Sequence, residues 1–242
     1  KKALRAKLEK RTANPEAFHP VTMTSVRGPR GVQFKSQPDG SFLVTGANPA
    51  KAKYTLEFNT EVKNITGLKI EALPDKLLSA NGPGRTPHGN FVLNDVRVYA
   101  APKVKFDAKK HRVTLAGAKA NYSQKDWPAK NAIDGKVGEG TKGTGWGIGT
   151  MHGKKHHLAL TFLKPISFED TIHLQVVLDQ QYGKQHTIGR FRITARTGQA
   201  MTDGIPPAVV KALTIEAVKR NAPQMTTLLA YFRDRDDEAK AL

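Results

Sequence analysis

The chain has 242 residues, and its 39 Lys and Arg against 21 Asp and Glu give a formal net charge of +18. This length fits one large domain or two small ones. No apolar run approaches the roughly 20 residues of a membrane-spanning helix, so the sequence predicts no membrane span. The absence of cysteine excludes disulfides, thiolate zinc sites, iron–sulfur clusters and haem attached through Cys-x-x-Cys-His within this chain.

Positive charge is spread along this basic chain and is densest in residues 1–11 and 103–130. A cationic surface attracts nucleic acid, acidic polysaccharide or an acidic protein face. Charge alone does not choose among them, and a solvated lysine-rich surface without a partner is the alternative. Aromatic residues make up only 7% of the chain, and no RNP-like or helix-turn-helix pattern is present. The sequence therefore disfavours nucleic acid as the partner.

Residues 1–19 are predicted to form a helical linker. Leu4 and Leu8 lie one helical turn apart within a basic stretch over 2–10, and the pair at 14–15 (Asn-Pro) ends the pattern.

From residue 21 onward the pattern changes to short runs of β-branched and aromatic residues, separated by Pro, Gly, Asn and Asp. This pattern is typical of β-sandwiches and barrels. Residues 37–40 (Gln-Pro-Asp-Gly) give the clearest predicted hairpin turn. Tyr54, Leu56 and Phe58 are predicted to share the buried face of one strand. The predicted strands are 21–26, 31–36, 41–45, 53–59, 67–73, 91–99, 103–106, 111–121, 156–162, 171–180 and 187–196.

A loose internal repeat is suggested by the related runs 89–98 and 189–195. It would divide the β region into half-repeats of about 21–101 and 103–197. Because five or six strands are few for an independent sandwich, we predict one merged β-sandwich over residues 20–198.

Residues 199–242 are predicted to be a helical C-terminal segment. Pro206-Pro207 is suited to the start of one helix, and Asn221 followed by Gln224 has the spacing of a cap for a second. The second helix carries an apolar stripe that needs a partner surface. The stripe consists of Met225, Leu228, Leu229 and Phe232.

Motifs for catalysis are missing from the sequence. There is no Gly-x-Ser-x-Gly elbow or His-Glu-x-x-His, and the glycines over 138–149 do not have the order of a phosphate-binding loop. We therefore predict that the chain is not an enzyme. A metal centre is also disfavoured, because zinc needs three or four convergent ligands and the spacing of the clustered histidines does not provide them. These histidines are His152, His156, His157 and His173.

A polar loop over residues 179–186 is the main candidate for ligand binding. Its Gln180, Gln181, Tyr182 and His186 combine amides, a phenol and an imidazole, which can hydrogen-bond sugar hydroxyls in several directions. Tyr182, or a tryptophan at 127 or 146, would supply an apolar face for the sugar ring. The alternative is a hairpin loop whose side chains satisfy their own backbone. Two further candidate ligand-binding residues are thus Trp127 and Trp146.

Asp134-Gly135, followed by Trp146, has two interpretations. It is either part of a site, or a turn with an Asp-Gly pair and a core tryptophan.

Two long motifs resemble a β-rich module of large planctomycete cytochrome-c-like proteins, in which haem and planctomycete-specific domains flank the module. They are Gly82-Pro83-Gly84-Arg85 with Gly89-Asn90-Phe91-Val92-Leu93, and the run from Leu178 to Arg192. The stretch from Gly204 to Arg233 resembles the helical tail that follows this module.

The module itself resembles a distant discoidin, or coagulation factor 5/8 C-terminal, domain. The residues that carry this resemblance are Ala129, Ala132, Ile133, Asp134, Gly135 and Trp146, with the closing strand 189–193. The resemblance implies a mainly β, galactose-binding-like jelly-roll sandwich and, in some members, a structural calcium for which Asp134 is the position carried over. The link from Gly135 to Trp146 is longer here than is usual in that family.

Together these observations predict a non-catalytic carbohydrate-binding module. The charge favours acidic polysaccharide over neutral polysaccharide, and the helical ends suggest contacts with neighbouring domains of the same polypeptide. The alternative is a structural docking module of a cytochrome-c-like protein with no sugar ligand. Because the chain begins at Lys1 without a leader, we expect a piece of a longer polypeptide. The family resemblance implies an exported protein, either periplasmic, at the cell surface or extracellular.

Overall fold

The computed structural model describes residues 16–102, 107, 110–198, 208–209, 212, 215 and 217–233. The chain divides into two compact units, one formed by Phe18–Arg196 and one by Lys1–Ala17 with Thr197–Leu242. The predicted helix over 2–10, the predicted strand over 103–106 and the pair Pro206-Pro207 lie outside the described residues.

Thirteen strands form the framework of the described β unit. They are β1 Ala17–Pro20, β2 Thr22–Arg27, β3 Val32–Ser36, β4 Phe42–Gly46, β5 Ala52–Thr60, β6 Ile65–Ala72, β7 Val92–Leu93, β8 Asp95–Ala101, β9 Leu115–Ala120, β10 Trp146–Gly147, β11 His156–Ile166, β12 Ile172–Gln180 and β13 Arg190–Thr197.

These strands form two main sheets. The larger has the order β3-β4-β13-β6-β11-β9, with β1 paired to β13, and the smaller has the order β2-β5-β12-β8. A short third sheet joins β7 and β10. The predicted hairpin turn is confirmed, because Gly40 N donates to Gln37 O at 3.0 Å between β3 and β4, with φ +77° at Gly40.

The chain passes from one sheet to the other as an antiparallel ribbon. β5 pairs with β12 in the smaller sheet, and the next strand, β6, pairs with β11 in the larger sheet. β8 and β9 follow the same course, because they pair with β12 and β11 respectively. A ribbon of antiparallel strands shared between two sheets is the jelly-roll arrangement. The predicted mainly β, jelly-roll sandwich is therefore confirmed.

One hydrophobic core lies between the two main sheets. Tyr54, Leu56 and Phe58 on β5 are fully buried, as their alternation predicts, and so are Leu158 and Leu160 on β11. All five belong to a single cluster of buried residues from both sheets. Since alternate residues of each strand point to opposite faces, the intervening side chains are left for the outer surface.

The connections at the two ends of this sandwich differ in length. At one end lie the segments 61–64 and 167–171 and the described residues 102, 107 and 110–114. At the other, which we call the apex, lie 47–51, 73–91, 121–155 and 181–189. The apex therefore contains most of the irregular backbone, on a rigid base of strands, which is where binding residues are commonly found.

The C-terminal unit contains one described α-helix, α1, over Ala222–Arg233. Its predicted cap is confirmed, because Asn221 N donates to Gln224 Oε1 and Gln224 N donates to Asn221 Oδ1, both at 3.0 Å. Only part of the predicted apolar stripe is buried. Leu228 is buried in a small hydrophobic cluster, whereas Leu229 is 44% exposed. Within the described residues, no helix has the length and apolar character needed to cross a bilayer.

Glu71 on β6 is a buried charge that links three basic side chains. Its oxygens accept from Arg192 Nε at 2.6 Å and Lys155 Nζ at 2.6 Å, and Lys69 Nζ lies 3.9 Å away. Burial acts to raise the pKa of Glu71, but these hydrogen bonds and charges outweigh it and lower the pKa to about 2. The carboxylate therefore stays ionised at neutral pH and ties β6 to β13.

Replacing Glu71 by glutamine is expected to lower the free energy of unfolding at neutral pH by about 2 kcal/mol, because the charge-assisted bonds are lost. A carboxyl group whose pKa is lowered in the folded state stabilises the fold at pH values above its ordinary pKa, here 4.5. This stabilisation is lost as the pH falls toward the folded-state pKa of about 2. Urea unfolding across this pH range should therefore show the difference between wild type and Glu71→Gln narrowing in acid. Glu169→Gln, at an exposed position, is the control, and a pH-independent difference would contradict this account.

Candidate ring site at the apex

Five aromatic and imidazole rings lie in a continuous row at the apex, which we call the ring row. Trp127 meets Tyr182 edge to face at a centroid distance of 5.2 Å, and Tyr182 meets His186 at 4.4 Å. His88 then lies 5.6 Å from His186 and 5.4 Å from His152. His88 is exposed and the other four are half-buried, so the row presents ring surface to solvent.

The loop after β12 holds Tyr182 and His186 in place. His186 N and Nδ1 both bond Gly183 O, at 3.1 and 2.9 Å. Because a carbonyl oxygen only accepts, Nδ1 carries a proton. Gln185 has a left-handed backbone with φ +62°, and it is fixed by Gln185 N donating to Ala50 O at 3.1 Å and Nε2 donating to Asn48 O at 3.1 Å. The segment 47–51 therefore supports the loop from beneath.

Trp127 is positioned by the short strand β10. Trp127 N donates to Gln124 O at 3.0 Å, and Gly147 N donates to Trp127 O at 3.2 Å. A Cβ at Gly147 would lie 3.2 Å from Trp127 Cβ, so a side chain there would press on the tryptophan. Glycine at this position therefore permits the close approach that sets the first ring of the row.

Asn94, between β7 and β8, is the buried anchor of the apex. Its Oδ1 accepts from Gln181 N at 2.7 Å and Tyr182 N at 3.0 Å, and its Nδ2 donates to Thr144 O at 2.7 Å. The side chain is fully buried. One amide thus satisfies backbone groups of two separate loops, and without it these groups would be buried unpaired.

A second loop, over residues 134–144, is closed by Asp134. Both carboxylate oxygens accept from Thr144 Oγ1 at 2.8 Å, and Oδ1 also accepts from Lys136 N at 2.9 Å. Calcium takes six to eight oxygen ligands, among them backbone carbonyls as well as carboxylates. Among the described residues, no three His, Asp or Glu side chains converge in a group that could hold a metal. In this structure the Asp134 carboxylate closes the turn, and a calcium ion at this position stays a prediction.

Lysines surround a single carboxylate beside Tyr182. Gly140 N donates to Tyr182 O at 2.9 Å, and Glu139 accepts from Lys51 Nζ at 2.7 Å. This bond, followed by the charges of Lys51, Lys142 and Lys184, lowers the pKa of Glu139. Three ammonium groups close to one carboxylate leave this rim of the ring row positively charged.

The half-buried histidines of the row favour their neutral form. Burial is the main cause that lowers the pKa of His152 and of His186, and the neighbouring His88 adds to it. With a pKa below the ordinary value of 6.5, both rings are neutral at neutral pH. A neutral imidazole has one donor and one acceptor nitrogen, which matches a hydroxyl group.

Of the residues predicted to bind a ligand, Trp127, Tyr182 and His186 are brought together in the row. Gln181 lies beside them, half-buried, with Nε2 donating to Asp179 Oδ1 at 2.7 Å.

Trp146 and Gln180, by contrast, face the interior. Trp146 is fully buried, with its ring 5.0 Å from Phe91 and Nε1 donating to Tyr122 O at 2.9 Å. Gln180 is 1% exposed, and its Oε1 accepts from Ile188 N at 2.6 Å. Neither side chain offers surface to a ligand, so both leave the candidate site. For Trp146, the structure agrees with the alternative of a core tryptophan.

Two functional residues were missed by sequence reasoning. His88 lies in a turn closed by Gly89 N donating to Thr86 O at 2.9 Å, and the surrounding Gly, Pro and Thr residues indicated only a loop. Asn94 interrupts the predicted strand over 91–99, and a polar residue within an apolar run was the one signal that could have identified it.

The fold and the site thus define a jelly-roll sandwich that carries a rigidly supported row of exposed rings at one end. No protein-family model matches the chain, and no curated protein matches it. Among solved structures, it is similar to the CBM32-1, CBM32-2 and M60 catalytic domains of Clostridium perfringens ZmpB, with 12% identity, a TM-score of 0.41 and coverage of 97% of this chain and 21% of that one.

A structure of the CBM32-1 and CBM32-2 domains of the same protein gives 13% identity, a TM-score of 0.39 and coverage of 90% of this chain and 47% of that one. The chain therefore spans about a fifth and about half of these two structures. Likeness at this level carries no argument about function.

Replacing Asn94 by alanine is expected to loosen both loops that it joins, because four backbone groups, Gln181 N, Tyr182 N, Thr144 O and Gly138 O, lose their bonds to it. We expect faster amide hydrogen exchange at Gln181 and Tyr182 and a free energy of unfolding lowered by about 1 to 3 kcal/mol. Hydrogen exchange read by NMR provides the measurement. Asn131→Ala, at a half-buried apex position, is the matched control, and unchanged exchange at Tyr182 in Asn94→Ala would show that Asn94 is not the anchor.

Proposed function

We propose that this chain is a non-catalytic carbohydrate-binding module whose ligand lies on the ring row. The observation that carries the proposal is the contact series from Trp127 through Tyr182 and His186 to His88. A sugar presents apolar C–H faces and hydroxyl edges. Its binding site therefore needs apolar ring surface and hydrogen-bonding groups side by side.

Each part of the row supports one side of this chemistry. The half-buried Trp127 and Tyr182 offer apolar ring surface at little conformational cost, because the loop backbone already holds them. The neutral imidazoles of His152 and His186, together with His88, offer hydrogen-bonding nitrogens for hydroxyls. The row therefore suits an extended ligand such as a polysaccharide more than a compact one.

The lysines at the rim favour an acidic polysaccharide over a neutral one. Lys51, Lys142 and Lys184 surround Glu139 next to Tyr182, and the whole chain carries a net charge of +18. Carboxylate or sulfate groups of a glycan would be attracted to this rim, with a strength that falls as salt increases.

The context of the module is part of the same proposal. The two motifs that resemble planctomycete cytochrome-c-like proteins, around Gly82–Leu93 and Leu178–Arg192, both lie largely at the apex. We infer that the module belongs to an exported multidomain protein of this kind, where catalysis would reside in other domains and the module would hold them at a glycan surface.

Truncating the rings tests the row directly. Trp127→Ala and Tyr182→Ala are each expected to weaken glycan binding at least about tenfold, which corresponds to about 1.4 kcal/mol. The measurement is affinity electrophoresis and isothermal titration against a panel of acidic and neutral polysaccharides.

Phe18→Ala is the control for these variants, because Phe18 is 39% exposed on β1, away from the apex, and should leave binding unchanged. Absence of binding by the wild type to every glycan in low salt, or equal binding by wild type and both ring variants, would refute the proposed site.

The choice between acidic and neutral glycans is tested at the rim. The double variant Lys142→Gln with Lys184→Gln is expected to bind acidic glycans several-fold more weakly than the wild type. Its binding should also depend less on salt, because fewer cations contact the ligand. Neutral glycans should be unaffected. The control is Lys35→Gln with Lys164→Gln, which removes the same charge away from the apex. If the two pairs of substitutions weaken binding equally, the attraction is non-specific and the proposed rim is refuted.

A further inference from the structure

A groove lies at the end of the sandwich opposite the apex. It has a volume of about 460 Å³ and is lined by residues of 110–114, which precede β9, and of 163–168, at the end of β11. Leu163 N donates to Thr114 O at 2.9 Å, so the two walls are joined. The pairing of β11 with β6 is interrupted by a bulge between Thr161 and Ile166. A bulge bends its strand and frees the extra residues from pairing.

The walls of this groove are largely apolar. Leu163 is 61% exposed and Pro165 beside it is exposed as well, while Val113 and Phe168 are half-buried and Ile166 closes the floor at 9% exposure. All five line the groove. A groove lined by exposed apolar side chains is typical of a binding site rather than of the rest of a protein surface.

The ionisable residues of the groove are all basic, and the other polar residues that line it are Thr114 and Ser167. Lys110, His111, Arg112 and Lys164 line it, and the described lining residues include no Asp or Glu. Lys110 and Lys164 are exposed, and the ion pairs described for the chain include neither of them.

Three acidic residues are close to the groove in the chain but do not line it. Asp107 Oδ1 accepts from Lys110 N at 3.2 Å. Glu169 and Asp170 follow Phe168, and Lys63 Nζ donates to their backbone carbonyl oxygens at 2.7 and 2.6 Å. The ammonium group of Lys63 therefore adds positive charge to the same end of the sandwich.

We propose that this cationic groove binds an acidic peptide segment that carries large apolar residues and belongs to another protein. Apolar side chains of the segment occupy the wall formed by Leu163, Pro165 and Phe168, and its carboxylates pair with Lys110 and Lys164. The charge of the groove selects the sign of the partner.

A peptide fits this groove better than a glycan does. The ring row places ring faces next to neutral hydrogen-bonding groups, as hydroxyls require, whereas the groove combines a mixed aliphatic and aromatic surface, which includes Phe168, with ammonium groups. Such apolar walls favour apolar side chains, because burying sugar hydroxyls against them would leave the hydroxyls without partners. The two ends of the sandwich are thus suited to different ligands, and this inference does not depend on the proposed sugar binding.

A fluorescence-labelled peptide that alternates aspartate with leucine provides the probe. We expect it to bind the full chain in low salt and to shift the NMR amide signals of Leu163, Lys164 and Phe168. Peptides that alternate asparagine with leucine, or aspartate with serine, should bind at least about tenfold more weakly. Two groove variants should bind the aspartate–leucine peptide more weakly than the wild type, by a similar factor. They are the double variant Lys110→Glu with Lys164→Glu, and the single variant Leu163→Asp.

Matched controls separate the groove from the apex. Lys142→Glu with Lys184→Glu changes the same charge at the apex and should leave peptide binding intact, as should Trp127→Ala. All altered groove positions are exposed, and unchanged thermal unfolding confirms that these variants fold. The proposal is overturned if the aspartate–serine peptide binds equally well, if the groove variants bind the probe as the wild type does, or if an acidic oligosaccharide displaces the probe from the groove.

Discussion

The antiparallel ribbon shared between the two sheets is the constraint on which the rest of the molecule depends. Because β5 and β6 run beside β12 and β11 through both sheets, each sheet contributes one face to a single core. The same course brings every connection to one of two ends. The two longest connections, 73–91 and 121–155, fall at the apex, so residues distant in the chain, such as His88 and His152, become neighbours there.

Side-chain hydrogen bonds organise the loops of the apex. The buried Asn94 joins the loop containing Tyr182 to the loop that ends at Thr144, and the exposed Asp134 closes the latter through Thr144 Oγ1. The bonds of Asn94 have low net energies but a high cost when broken, because their partners are buried. A preorganised row of rings pays little entropy on binding, which matters for ligands as weakly apolar as sugars.

Charge is organised differently at the two ends. At the apex the lysines cluster around a carboxylate beside rings, so in the proposed glycan binding they would supply long-range attraction and neutral groups would supply recognition. In the groove, Lys110 and Lys164 lie beside apolar residues, where a paired carboxylate would be partly shielded from water. The positive charge of the chain therefore has different surroundings at the two ends. Which ligand it favours depends on the uncharged surface that lies next to it.

The sequence by itself determined the positions of most strands, the turn over residues 37–40 and the cap formed by Asn221 and Gln224, because these features depend on alternation and on local hydrogen bonding. It also indicated a polar loop over residues 179–186, of which residues 179 and 180 belong to β12 and the rest follow that strand. Only the tertiary structure decided that Trp127 reaches the surface whereas Trp146 lies in the core, and that His88 joins the row. Alternation reports which face of a strand is buried, but the path of a long loop is set by contacts with distant segments, such as those of Asn94, that local sequence does not encode.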